Sequence, residues 1–300
     1  MSETECQVIV PLITPLTSNE EIDEKSLRKC VSRLVSAGIK HIFLLGSCGE
    51  YIAFDRIDRK KIISIVTDEV GDSAEIVTGV IGLSDKTIRR NMADCKAFQV
   101  SAYVLPPPFY FPLSQEDIFQ FYCRITADSD KPILIYNIPQ MPILPKTLSH
   151  IVEENYVIIG IKDSTSDMMN VQESIRLCKL VRPEIKFYQG TEDLIIPSLL
   201  AGANGVVPGL ANVDPWLFLS LDSGIHKKNF LEVASLQEKI LEISRLYKMH
   251  GSPVAGIKRA LQLLDVIDSD LVSSPLRNLP ESDSDAVKQV IAPLFRKRER

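Results

Sequence analysis

The chain has 300 residues, 45% of them hydrophobic and 24% charged, with a formal net charge of -5 at pH 7. That is ordinary for a globular protein with a sizeable core, built as one large α/β domain with an appendage or as two domains. A mild acidic excess gives no reason to expect nucleic acid as a partner, and no apolar stretch approaches the roughly 18 residues that span a bilayer.

Taken in chain order, short β-rich apolar runs alternate with longer amphipathic segments. The first run, "VIVPLIT" from Val8, is followed by "SLRKCVSRLVSAG" from Ser26, whose apolar residues recur at three- and four-residue steps until Gly38 supplies a stop. Seven further strands are predicted: "HIFLL" from His41, "IVTGV" from Ile76, "AYVL" from Ala102, "PILIY" from Pro132, "VIIGI" from Val157, "IKFY" from Ile185 and "NGVV" from Asn204. Strand and helix in alternation imply parallel strands. Eight such units fit a (β/α)8 TIM barrel better than an open doubly wound sheet, and no G-x-G-x-x-G follows the first strand. After Asn212 the strand signals cease, and "NFLEVASLQEKILEISRLYKM", "PVAGIKRALQLL" and "SDAVKQVIAPLF" are helical patterns. The expected division is a catalytic barrel over 1-224 and a C-terminal helical extension over 225-300. The basic run from Arg296 to Arg300 is expected to be a solvated helix end.

Six cysteines (Cys6, Cys30, Cys48, Cys95, Cys123 and Cys178) include no C-x-x-C pair, and four of them fall within helical patterns, where a small buried hydrophobe is the default. The four histidines show no H-E-x-x-H or similar spacing. Neither disulfides nor a metal site is expected, and no cofactor is called for. The first residues carry no basic segment followed by an apolar one, so a cytoplasmic protein without a membrane partner is expected.

One apolar run ends unusually: "VIIGIKDSTSD", from Val157 to Asp167, places Lys162 at the end of the sixth strand. Most strand-terminal lysines simply reach water, but the C-terminal ends of barrel strands face the mouth where such enzymes place their chemistry. By the same logic Tyr136 ends the fifth strand. The loops "GSCGE" from Gly46, "PPPFYFP" from Pro106 and "QGTED" from Gln189 follow strands two, four and seven. A lysine in a low-dielectric mouth loses hydration of its charged form, and its neutral amine can attack a ketone to form a Schiff base. The iminium is an electron sink for a carbanion next to the former carbonyl. Tyr136 is positioned to shuttle the proton, against the plainer alternative of a barrel-lining aromatic. "GSCG" offers closely spaced backbone N–H groups and the Ser47 hydroxyl, suited to holding a carboxylate, although taken singly it is a tight turn.

This constellation resembles the pyruvate-dependent class I aldolases and lyases of the dihydrodipicolinate synthase and N-acetylneuraminate lyase family. The family's G-[ST]-x-G-E loop is similar to Gly46-Ser47-Cys48-Gly49-Glu50, its Y-N-x-P to Tyr136-Asn137-Ile138-Pro139, and its G-x-K-D-[ST] to Gly160-Ile161-Lys162-Asp163-Ser164. "QGTEDL", "GANGVVPGLANV" and "SPLRNL" from Ser274 resemble its later stretches. The resemblance implies that Lys162 forms the imine, Tyr136 moves the proton, and Ser47 with the Cys48 backbone holds the pyruvyl carboxylate. It further implies substrate contacts from Gly49, Met141, Ser164, Gly190, Glu192, Asp193 and Val207. Tyr110 would be a relay tyrosine supplied to the neighbouring subunit of a homo-oligomer, a dimer paired into a dimer of dimers. Cys48 departs from the threonine common at its place, and a thiol is a weaker donor than a hydroxyl.

The resemblance also bears on the small-molecule keto-acid substrate. Dihydrodipicolinate synthases typically carry arginine two residues after the Y-N-x-P proline, where its fork can clamp a carboxylate. Here that residue is Met141, which argues against condensation with aspartate semialdehyde. "YNIPQ" looks like some archaeal 2-keto-3-deoxygluconate aldolases, and Ser47 leans toward the lyases. Thr191, Glu192 and Asp193 can hydrogen-bond sugar hydroxyls, or alternatively cap a helix N-terminus. The expectation is a lyase that cleaves a 2-keto-3-deoxy sugar acid to pyruvate and an aldehyde. Its rivals are a synthase with another residue in place of the arginine, a dehydratase, a hydroxy-oxoglutarate aldolase, and a catalytically silent barrel that binds a keto acid.

Overall fold

Eight strands close into a barrel in sequence order in the computed structural model, which describes residues 6–226 and 230–298. They are β1 (Gln7–Pro11), β2 (His41–Leu44), β3 (Glu75–Gly79), β4 (Ala102–Leu105), β5 (Ile133–Asn137), β6 (Ile158–Asp163), β7 (Lys186–Gln189) and β8 (Gly205–Val206). Helices intervene: α1 (Glu24–Ala37), α2 (Arg56–Val70), α3 (Asp85–Cys95), α4 (Gln115–Thr126), α5 (Pro145–Glu154), α6 (Met168–Val181), α7 (Ile195–Leu200) and α8 (Pro215–His226). Three more, α9 (Phe230–Ile243), α10 (Pro253–Leu263) and α11 (Ser284–Arg298), follow the barrel. The predicted TIM barrel with C-terminal helices is thus the observed fold. In α11 the basic run continues the helix to Arg298, and residues 299–300 lie outside the described part.

Local signals account for the helix ends. Asp23 caps α1 by accepting the Ser26 N–H at 3.0 Å, and Gly38 ends it in the left-handed region at φ 100°. A reciprocal Ser114–Asp117 capping box opens α4, and prolines open α5 and α10. The strands are nearly continuous apolar runs because parallel barrel strands are covered on both faces.

Two strands end more than one residue from where they were expected to. β1 stops at Pro11 rather than Thr14, because the chain beyond is tied to a side chain: the Ile13 N–H donates to Asn212 Oδ1 at 3.2 Å. β6 runs past Ile161 to Asp163, since its ladders with β5 and β7 continue through Lys162 and Asp163.

The chain divides into two compact units, one of Met1–Gln7 with Ile76–Val207 and one of Val8–Glu75 with Pro208–Arg300. Cys30, Cys95 and Cys178 are buried as expected, and burial pushes the Cys30 and Cys178 thiols up to about 12, which leaves them unreactive. Cys123, the fourth helical cysteine, is only half-buried. Among the described residues no helix is long and apolar enough to cross a membrane.

Candidate active site

In the unit built from Ile76–Val207, β5 and β6 pair in a register that sets Tyr136 opposite Lys162 and Asn137 opposite Asp163. Strand alternation sends the two pairs to opposite faces. Lys162 and Tyr136 are 4% and 7% exposed, and the Lys162 Nζ lies 3.8 Å from the centre of the Tyr136 ring. A cation over an aromatic face is attracted by the ring quadrupole, more strongly where water is excluded. The ring therefore fixes the position of the amine. Both residues stand one position before the strand end, not at it.

On the opposite face the next two residues form a clasp that the sequence reading did not single out. Asn137 Nδ2 donates to Asp163 Oδ2 at 2.7 Å, while Asp163 Oδ1 accepts from the Thr165 N–H at 2.9 Å and its hydroxyl at 2.7 Å. Asn137 also closes the following loop, with its Oδ1 accepting from the Ile143 N–H at 2.8 Å. Burial raises the Asp163 carboxyl above its ordinary range, against the pull of the Thr165 and Asn137 donors. Asn137 and Asp163 lie within the quoted motifs, one residue beyond Tyr136 and Lys162. Period-two alternation was the signal that gave them a separate task.

Gly190 follows β7 and sits against the lysine. A Cβ there would collide with the Ser164 hydroxyl and come within 2.9 Å of Lys162 Cε and 3.1 Å of the Asp163 carbonyl oxygen. The Gly190 N–H in turn donates to that carbonyl at 2.7 Å. Gly190→Ala is accordingly expected to destabilise the protein by about 1–3 kcal/mol, as overpacking does. A denaturant melt with an unchanged midpoint would show that the neighbours yield without cost.

The remaining predicted residues of this unit are distributed as follows. Met141 is buried in the loop that Asn137 closes, its N–H donating to the Ile138 carbonyl at 3.2 Å. Val207 is buried and hydrogen-bonded through its N–H to the Gln189 carbonyl at 2.8 Å. Thr191 and Glu192 begin a single 3-10 turn, but no side chain caps it. Instead Gln189, missed from sequence, accepts the Thr191 N–H at 2.7 Å and donates to Ser198 Oγ at 2.7 Å. The capping alternative for Thr191 is thereby corrected. Glu192 is buried and Asp193 exposed. Tyr110 lies on the loop after β4, 72% exposed, edge-on to an equally exposed Phe111 with ring centres 4.9 Å apart.

The other unit holds the loop after β2. Gly46–Gly49 is bracketed by two non-glycine residues in the left-handed region, Leu45 at φ 56° and Glu50 at φ 55°. Ser47 is exposed, Cys48 half-buried and Gly49 buried. The Thr14 hydroxyl holds the Gly49 carbonyl at 2.9 Å. Asn212 ties β1 to the segment after β8, its Nδ2 donating to the carbonyls of Pro11 at 2.9 Å and Gly209 at 2.8 Å. Among the described residues, no group of three or more His, Cys, Asp or Glu side chains is arranged to hold a metal ion.

The family model for the dihydrodipicolinate synthetase family matches residues 5–293. The chain is 28% identical over 290 residues to an uncharacterised DapA-like lyase of Halobacterium salinarum, covering 96% of this chain and 93% of that one. It is 25% identical over 296 residues to N-acetylneuraminate lyase 2 of Escherichia coli, covering 98% and 95%. In fold it is similar to the crystal structure of dihydrodipicolinate synthase from Thermotoga maritima, with a TM-score of 0.91 at 22% identity over 97% of this chain and 98% of that one.

Proposed function

Since the chain belongs to the dihydrodipicolinate synthetase family, we propose that it is a Schiff-base-forming class I lyase that cleaves a 2-keto-3-deoxy sugar acid, such as 2-keto-3-deoxygluconate, to pyruvate and an aldehyde. The observation that carries this reading is the buried Lys162 held over the Tyr136 ring.

The Lys162 amine attacks the ketone carbon of the keto acid, and water leaves as the imine forms. Tyr136 takes the proton from the C4 hydroxyl, the C3–C4 bond breaks, and its electron pair moves into the iminium to give an enamine. The aldehyde departs. Protonation at C3 and addition of water then release pyruvate and restore the lysine. Ser47 and the amides of Cys48 and Gly49 hold the pyruvyl carboxylate, a task that backbone N–H groups perform whatever the side chain at Cys48. Ser164, Gly190, Glu192, Asp193 and Val207 complete the substrate contacts, with Glu192 and Asp193 available to sugar hydroxyls.

Met141 supports the choice of substrate, because a thioether cannot take the place of a guanidinium that clamps a second carboxylate. Tyr110 and Phe111 support a homo-oligomer, since two large exposed rings side by side on a proline-rich loop call for a covering partner. The test of function is a panel. Pyruvate release is followed from several 2-keto-3-deoxy acids, beside a synthase assay with pyruvate and aspartate semialdehyde. Cleavage of at least one sugar acid is expected to exceed synthase turnover by about tenfold or more, the scale on which a missing charged contact discriminates. Synthase turnover equal to or above every cleavage reaction would overturn the substrate assignment.

A further inference from the structure

Glu50 closes the loop that carries Ser47, Cys48 and Gly49, and its side chain points away from solvent into the C-terminal helices. Its carboxylate is fully buried and ion-paired through Oε1 with the ammonium of Lys258 on α10, which is fully buried too. The other oxygen, Oε2, accepts from the Ser273 N–H at 2.6 Å and from the Ser273 hydroxyl at 2.7 Å. Lys258 is held in its turn by the Leu271 carbonyl at 2.7 Å. Glu50 is thus gripped by an ammonium and two hydrogen-bond donors, from two segments more than 200 residues away in sequence.

That grip sits at a strained point of the backbone. Glu50 is in the left-handed region, at φ 55° and ψ 36°, as is Leu45 at the other end of the loop. A non-glycine residue in that conformation is strained and persists only where its surroundings hold it. A buried ion pair is a poor source of net stability compared with apolar residues of the same volume, but it is directional. Its value at this place is geometric.

Resting on the reading of Ser47–Gly49 as the carboxylate loop, we infer that Glu50, Lys258 and Ser273 are positioning residues for keto-acid binding: the C-terminal helices set the loop amides in the arrangement that receives the carboxylate. None of the three touches substrate. They act by holding Glu50 in its left-handed conformation, without which the loop relaxes and its N–H groups no longer converge. The C-terminal extension is on this account part of the binding apparatus and not only a cover for the barrel.

The test measures the pyruvate concentration that half-saturates borohydride trapping on Lys162, together with the thermal midpoint, in Glu50→Gln, Lys258→Met, their combination and Ser273→Ala. Each of the first two is expected to raise the half-saturating pyruvate about tenfold while the adduct at saturation stays complete, and the double variant should shift less than the product of the singles, as contacting residues do. Arg259→Met, which breaks the pair that Arg259, next to Lys258 on α10, makes with Asp270, should lower the midpoint and leave half-saturation unchanged. Should Lys258→Met not fold, Ser273→Ala decides alone, with an expected rise of about twofold to fivefold for the loss of one of two donors. Variants that melt earlier but bind pyruvate as the parent does would show a purely structural staple and overturn the inference. A parent protein that gives no adduct on Lys162 overturns the lyase reading itself, and this inference with it.

Discussion

Borohydride added together with pyruvate will leave a stable secondary amine on the peptide containing Lys162, detectable by mass spectrometry, because reduction fixes the imine before water can reverse it. Lys162→Ala should abolish the adduct and reduce turnover by at least about 10⁴-fold, the order lost when a nucleophile is removed. Lys162→Arg sharpens the test. A guanidinium keeps a positive charge beside the Tyr136 ring but cannot be deprotonated to attack a carbonyl, so it should restore folding stability and no activity. Full adduct formation in Lys162→Ala, or activity in Lys162→Arg, would put the nucleophile elsewhere.

Tyr136→Phe is expected to behave differently, and the geometry says why. The aromatic face on which the Lys162 ammonium rests is retained, so the lysine stays in place and the pyruvate adduct still forms. Only the hydroxyl is lost. Turnover should fall by about 10² to 10⁴, the usual contribution of a positioned acid–base group. The pairing of an intact adduct with slow cleavage is the signature to look for, in single-turnover mixing with a cleavable keto acid. Unchanged turnover removes Tyr136 from the proton transfer, whereas loss of the adduct as well would mean that the hydroxyl, and not the ring, positions the lysine.

These two experiments bear on one unit of the molecule, and the loop after β2 on the other. Lys162 and Tyr136 are set by a strand ladder, which needs no more than backbone register and alternation to bring them face to face. The loop after β2 has no such ladder. The Gly49 carbonyl is held by the Thr14 hydroxyl, and the left-handed Glu50 by Lys258 and by the N–H and hydroxyl of Ser273. Damage to the C-terminal helices should therefore be felt as weak binding, and damage at the ends of β5 and β6 as slow chemistry.

The sequence by itself determined the architecture and singled out the residues of the proposed centre. Eight β-rich runs separated by helical periodicity leave little but a parallel barrel, since short strands buried on both faces and joined by helices cannot pair otherwise. Lys162 and Tyr136 were legible because each closes an apolar run with a residue out of character for it. Asn137, Asp163 and Gln189 were in plain sight in the same motifs, but their hydrogen bonds join neighbouring strand ends, and only the observed register says which ends meet. Lys258 carried no legible signal at all: a lysine in the pattern "PVAGIKRALQLL" is indistinguishable from one on a solvated helix face until the fold buries it against Glu50, 208 residues earlier. Periodicity is a local property of the chain, written in side-chain hydropathy. Partnership between charged groups is decided by distance in space, which only tertiary packing supplies.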